Sequence, residues 1–174
     1  MSDKFRGSVK ALLFDLDGTL IDSKRDLVQS VNATLREMER AELPETLVAS
    51  YVGSGAPVLI SRALGGAQAA SPEELQNALK FFLAHYEEHK LDHTRAYPGV
   101  REALEQLHGV PMAVLTNKPV NMSVKILEGL RLKKFFRVIY GGNSFATKKP
   151  DPLGANTILG ELRISGAQAA MVGD

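Results

Sequence analysis

A chain of 174 residues, 44% hydrophobic and 24% charged, has the size and balance of one folded domain, or of a compact core carrying an insertion, and excludes a disordered or fibrous protein. Its 21 Lys and Arg against 20 Asp and Glu leave a net charge of +1, too little for a global field that would hold nucleic acid or an anionic membrane, so any anion must be bound locally. The absence of cysteine excludes disulfides, thiolate nucleophiles and Cys-ligated zinc or iron–sulfur centres, and suits a reducing cytoplasm.

The polar segment Met1 to Gly7 runs into an apolar stretch too brief for a membrane span and without a small-residue cleavage site, so neither export nor anchoring is expected. That stretch, Val9 to Leu16, is rich in strand formers and ends at Asp17-Gly18-Thr19; it reads as a buried strand followed by a tight turn. From Asp22 the period becomes helical, with Leu27, Val28, Val31, Leu35 and Met38 on one face. Short helices are predicted over Pro44 to Val52 and Pro57 to Leu64, on either side of Gly53-Ser54-Gly55. Ser71-Pro72-Glu73-Glu74 is a capping box with proline at the first helical position, and the helix it opens buries Leu75, Leu79, Phe82, Leu83 and Tyr86.

After Tyr97-Pro98-Gly99 helices and strands alternate: a helix over Val100 to His108, a strand over Met112 to Thr116, a helix over Pro119 to Leu130 and a strand over Arg137 to Tyr140. A helix from Pro152 to Leu162 and a strand over Ala169 to Val172 complete the series. This rhythm predicts an α/β protein with a mostly parallel sheet and helices on its faces. The helical block between the first two strands is then an insertion, so residues 1–21 and 96–174 are expected to form the core and 22–95 the inserted unit. His85, His89, His93 and His108 show no metal-ligand spacing and read as surface or helix-end residues.

Ligands of open parallel sheets bind at the carboxyl ends of the strands. The polar residues there are Asp15 and Asp17 after the first strand, Thr116 and Asn117 after the second, Lys149 ahead of a helix, and Asp174 after the last strand. Two carboxylates two residues apart at the end of a buried strand repel each other and are costly without a cation or a shared proton. The same spacing makes an oxygen-rich corner for Mg2+, and Gly18 lets backbone amides approach an anion closely. Thr116 supplies a hydroxyl donor, Lys149 a compact positive charge for a phosphoryl group, and Asp174 a further metal ligand. Each feature alone has an ordinary reading, as a turn dipeptide, a strand-end threonine or a solvated lysine pair; together, in this order, they read as a metal and phosphate site.

Phe14-Asp15-Leu16-Asp17-Gly18-Thr19-Leu20 resembles the first motif of the haloacid dehalogenase superfamily of phosphohydrolases, and Val114-Leu115-Thr116-Asn117 resembles its second. Lys149-Pro150-Asp151-Pro152 resembles the third, and Val172-Gly173-Asp174 the start of the fourth. Within the superfamily, Thr116-Asn117-Lys118-Pro119 and Tyr97-Pro98-Gly99-Val100 look most like phosphoglycolate phosphatases. The resemblance implies a Rossmann-like parallel sheet with helices on both faces and an inserted all-α helical cap. It implies Asp15 as nucleophile and Asp17 as general acid and base, with Mg2+ held by Asp15, the Asp17 carbonyl and Asp174. Thr116, Lys149 and backbone amides near Leu16, Asp17 and Asn117 would hold the phosphoryl oxygens. Asp17 favours phosphate chemistry over dehalogenation, since displacing a halide needs no leaving-group proton. The implied substrate is a small phosphorylated metabolite, 2-phosphoglycolate first, and the implied form is a cytoplasmic monomer or homodimer without nucleic acid or membrane.

Substrate choice is less legible. Gly53, Ser54 and Gly55 would bring backbone amides, and Arg62 a guanidinium, to a carboxylate such as that of phosphoglycolate, while a plain turn and a solvated arginine read the same residues equally well. A phosphatase or phosphomutase for another metabolite, such as a sugar phosphate, shares the core residues. The resembled fourth motif continues past Gly-Asp, so a chain ending at Asp174 has an incomplete core, is expected to be less stable or to self-associate, and as a fragment would bind metal and phosphate with little turnover.

Overall fold

The computed structural model describes residues 9–66 and 68–173. The chain divides into two compact units, one of residues 1–22 with 96–174 and one of residues 23–95. In the first, strands β1 (Ala11–Phe14), β4 (Met112–Leu115), β5 (Val138–Tyr140) and β6 (Ala169–Val172) form a sheet in the order β5-β4-β1-β6, parallel throughout. The registers pair Phe14 with Val114 on one side and with Val172 on the other. Two short strands not foreseen, β2 (Ile21–Asp22) and β3 (Arg95–Ala96), pair with each other.

All four residues of β4 are buried, which requires cover on both faces of this central strand. One face packs Ala11, Leu13, Ala113 and Leu115 against Ile158 of a late helix, with Leu159 and Leu162 beside them. On the way to β5, Phe136 meets Phe14 edge to face at 6.0 Å. The strand predicted over Val9 to Leu16 is shorter than expected: the Leu16 carbonyl accepts from the amides of Thr19, Leu20 and Ile21, so the chain turns there, with Gly18 at φ +81°. Asp15 and Asp17 therefore stand beyond the strand, on its turn.

The unit 23–95 is helical: α1 (Lys24–Glu37), α2 (Glu45–Ala49), α3 (Ala56–Ala63) and α4 (Pro72–His89). The second of these is much shorter than the predicted Pro44 to Val52. Residues Leu27, Val28, Val31 and Leu35 of α1 are buried, as its periodicity predicts, and α1 packs chiefly on α4. The capping box is present in both directions, Glu74 N donating to Ser71 Oγ and Ser71 N to Glu74. On α4 the fully buried residues are Ala78, Phe82 and Tyr86, an i, i+4 row, while Leu75, Leu79 and Leu83 are half-buried.

The hydrophobic pattern does not show a second, polar row on α1: Asp26, Ser30 and Thr34, also four apart and all buried. The Asp26 carboxylate accepts hydrogen bonds from the amides of His93 and Thr94 and from the Thr94 hydroxyl at 2.7 Å, and pairs with His93 Nδ1 at 2.9 Å. His93 is thus a structural tie, correcting its reading as an ordinary surface histidine. Removing the carboxylate leaves the donors of fully buried Thr94 without partners, so Asp26→Ala is expected to lower stability by about 2–4 kcal/mol in urea unfolding.

His85 shares a hydrogen bond with Ser30 through Nδ1 at 3.0 Å, and its ring lies tilted against that of His89, with centroids 4.3 Å apart. Partial burial, followed by the neighbouring His89, holds the His85 imidazole below its ordinary value of 6.5. The unfolded chain thus takes up this proton first as pH falls. The contribution is full above about 6.5 and is lost as pH drops through the folded value, so urea midpoints are expected to fall below pH 6.5 and less steeply in His85→Gln.

Candidate active site

Asp15 and Thr116 each follow directly after the last residue of neighbouring parallel strands, β1 and β4, so the sheet sets them side by side at its carboxyl edge. Asp15 is tied in place by its own amide, which donates to Val172 O on β6 at 2.8 Å. Its Oδ1 accepts from the Leu16 amide at 2.7 Å, and its Oδ2 meets Lys149 Nζ at 2.5 Å. Asp17 Oδ1 meets Lys118 Nζ at 3.1 Å, with the two side chains only 15% and 5% exposed. The repulsion expected between the two carboxylates is thus offset by a separate lysine for each, drawn from different loops.

One loop organises both pairs. Thr116, buried, donates its amide to Tyr140 O at 3.0 Å and accepts the Lys118 amide on its hydroxyl oxygen at 3.2 Å, which leaves the hydroxyl hydrogen to donate. Asn117 clamps the backbone of Lys149 at two points: its Nδ2 donates to Lys149 O at 3.2 Å and its Oδ1 accepts from Lys149 N at 3.0 Å. Its side chain therefore sets the place of a lysine.

Behind this loop, Gly142 donates its amide to Lys118 O at 2.8 Å. A Cβ at Gly141 would lie 2.3 Å from Val120 N, and one at Gly142 would lie 2.2 Å from Asn117 O. Only glycines allow so close an approach. Helix α6 (Val120–Gly129; α5 is Val100–Gln106) starts from the same loop, with its first amide donating to Asn143 Oδ1 at 2.8 Å. Thr116, Asn117, Gly142, Lys148, Lys149 and Asp151 line a small polar recess, with Gly154 of α7 (Leu153–Leu162) among the other lining residues.

The donors fit a hard divalent cation in kind. Asp15 and Asp17 offer oxygen ligands, and Thr19 Oγ1, on the same turn, is a buried hydroxyl without a hydrogen-bond partner among the described residues. Gly173, at the end of β6, would bring a Cβ within 3.6 Å of Asp15 Cβ, so that strand end lies beside the first carboxylate. Among the described residues no group of three or more His, Asp or Glu assembles as a metal cluster; the expected ligand Asp174 lies outside them.

The structure thus brings together Asp15, Asp17, Thr116, Asn117 and Lys149. Gly53, Ser54, Gly55 and Arg62 belong to the other unit. There Gly53 and Gly55 take φ of +114° and +89° in the turn before α3, and the exposed Arg62 lies over the Tyr51 ring at 6.0 Å. Lys118, between Asn117 and Pro119, is a site residue that the sequence did not single out; the available signal was its position three residues beyond the end of β4, directly after two polar residues. Among the described residues no helix is long and apolar enough to cross a membrane.

A family model described as haloacid dehalogenase-like hydrolase matches residues 12–174. The chain is 39% identical to a phosphoglycolate phosphatase of Colwellia psychrerythraea over 95% of its own length and 76% of that protein. It is 39% identical to one of Pseudomonas fluorescens over 98% of its length and 64% of that protein. The chain therefore spans three quarters of one relative and less than two thirds of the other. The crystal structure of a predicted phosphoglycolate phosphatase from Haemophilus somnus superposes with a TM-score of 0.89 at 33% identity, covering 94% of this chain and 76% of that one. With the carboxylates and lysines at the carboxyl edge of a parallel sheet and a family match over nearly its whole length, the chain belongs to the haloacid dehalogenase-like hydrolase family, as an enzyme similar to the phosphoglycolate phosphatases.

Proposed function

We propose that the protein is a Mg2+-dependent phosphatase that hydrolyses a small phosphate monoester, 2-phosphoglycolate first, through an aspartyl-phosphate. The observation that carries this reading is the ion pair of Asp15 with Lys149, a carboxylate nucleophile and a phosphate-binding cation on one spot of the sheet edge. An incoming phosphoryl group exchanges for the carboxylate as partner of the Lys149 ammonium and takes a hydrogen bond from the Thr116 hydroxyl. An Asp15 oxygen attacks phosphorus as the bond to the leaving oxygen breaks, and Asp17 delivers a proton to that oxygen. Asp17, now ionised, takes a proton from water, whose oxygen attacks the phosphorus of the aspartyl-phosphate; phosphate leaves and the Asp15 carboxylate is restored. Asp15, the Asp17 carbonyl and Asp174 would hold Mg2+, which would supply positive charge to shield the nucleophile from the phosphate.

The names of the similar proteins support 2-phosphoglycolate as the first substrate to try. In this reading Arg62 pairs with the substrate carboxylate, with Gly53, Ser54 and Gly55 contributing amides, and the helical unit serves as a cap. The deciding experiment is phosphate release from 2-phosphoglycolate, a sugar phosphate and p-nitrophenyl phosphate, with and without Mg2+. Mg2+-dependent release with 2-phosphoglycolate the best substrate is expected, and Arg62→Ala is expected to raise KM for it alone. Isomerised sugar phosphate without net release would make the protein a mutase instead.

A further inference from the structure

Lys118 has no part in the chemistry just described, yet its ammonium is among the least exposed charges of the core unit: the side chain is 5% exposed and its Nζ lies 3.1 Å from Asp17 Oδ1. Ordering a long lysine side chain costs rotamer entropy, and removing its charge from water costs more, so a placement without consequence is disfavoured. The geometry around it is built. The amide of Lys118 is anchored on Thr116 Oγ1 and its carbonyl receives Gly142 N, so the backbone from which the side chain leaves is fixed at both ends of the residue. The carboxylate it reaches sits on a turn whose glycine has a positive φ and where Asp17 bridges to Ile21 at the start of β2.

We propose that Lys118 is the positioning residue for Asp17: its ammonium holds one oxygen of the carboxylate and thereby fixes the rotamer from which the proton is handed to the leaving group. This rests on the phosphatase reading above and adds a residue to it. The Thr116-Asn117-Lys118 loop then serves both carboxylates, setting Lys149 against Asp15 through the Asn117 clamp and gripping Asp17 directly. Misplacing an acid by about 1 Å can cost about a hundredfold, but only where the reaction needs the proton.

That condition gives the test. An alkyl phosphate releases a strongly basic alkoxide and depends on the acid, whereas p-nitrophenolate leaves without protonation. Lys118→Met is expected to lower kcat for 2-phosphoglycolate by about 10- to 100-fold and for p-nitrophenyl phosphate by less than about threefold, with KM for each within about twofold. The ratio of the two kcat values does not depend on how much of the variant is folded, so partial misfolding does not obscure the result. In an Asp17→Asn background, adding Lys118→Met is expected to leave that ratio unchanged, because the group through which Lys118 acts is already gone. An equal loss with both substrates, a loss confined to KM, or no change of the ratio would overturn the inference. If the unaltered protein releases phosphate from neither ester, the phosphatase reading falls first, which separates the two failures.

Discussion

Asp15→Asn is expected to lower phosphate release by about 10⁴-fold or more while leaving the fold intact. The substitution keeps the size of the side chain and an oxygen able to accept from the Leu16 amide, so the local contact at 2.7 Å persists. It removes the negative charge, and with it the nucleophilic oxygen on which a phosphoryl group would be carried. Lys149, 2.5 Å from the wild-type carboxylate, loses its partner but gains freedom to hold phosphate, so substrate or inorganic phosphate is expected to bind at least as well. Phosphate release, circular dichroism and a phosphate-binding isotherm together check this. Turnover retained with a native spectrum excludes a covalent route through Asp15 and would leave direct attack by water.

The sheet was readable in the sequence because each of its strands is a short apolar run between turn-forming residues. Met112–Leu115 and Ala169–Val172 are the clearest cases, and their parallel pairing on either side of β1 follows from the helices between them. What the pattern could not show was polar structure formed across long sequence separations. Asp26 meets its partners 67 and 68 residues later, and on α1 its row is masked by an apolar face that already accounts for the helix. At the site, Asp15, Asp17, Thr116, Asn117 and Lys149 stood out by their order together, at strand ends or on the loops beyond them, and not singly. The clamp of Asn117 on Lys149 and the reach of Lys118 to Asp17 were not legible, because both act on neighbouring loops and periodicity carries no information on which loops touch. Gly141-Gly142 is a further case: a glycine pair after a strand does not reveal the close approach of its backbone to that of Asn117 and Val120.

That approach carries the second large effect. Gly142→Ala puts a methyl group 2.2 Å from the Asn117 carbonyl oxygen and 2.8 Å from its carbon, both backbone atoms, so no side chain can rotate away to make room. The loop must retreat, and the hydrogen bond from Gly142 N to Lys118 O lengthens with it. The expected cost is about 3 kcal/mol of stability in urea unfolding. The retreat also moves Thr116, the Asn117 clamp on Lys149 and the root of Lys118, so the folded variant is expected to lose about a hundredfold in kcat under conditions where unfolding is negligible. Gly160→Ala is the matched control: it lies exposed in α7, and an added Cβ meets nothing within 4 Å. There the same methyl group raises helix propensity, and a gain of about 0.5–1 kcal/mol with unchanged kcat is expected. A Gly142→Ala protein as stable and active as the parent would mean that the loop has slack the contacts do not show, and that the positions of Lys118 and Lys149 are set by something other than the glycine pair beneath them.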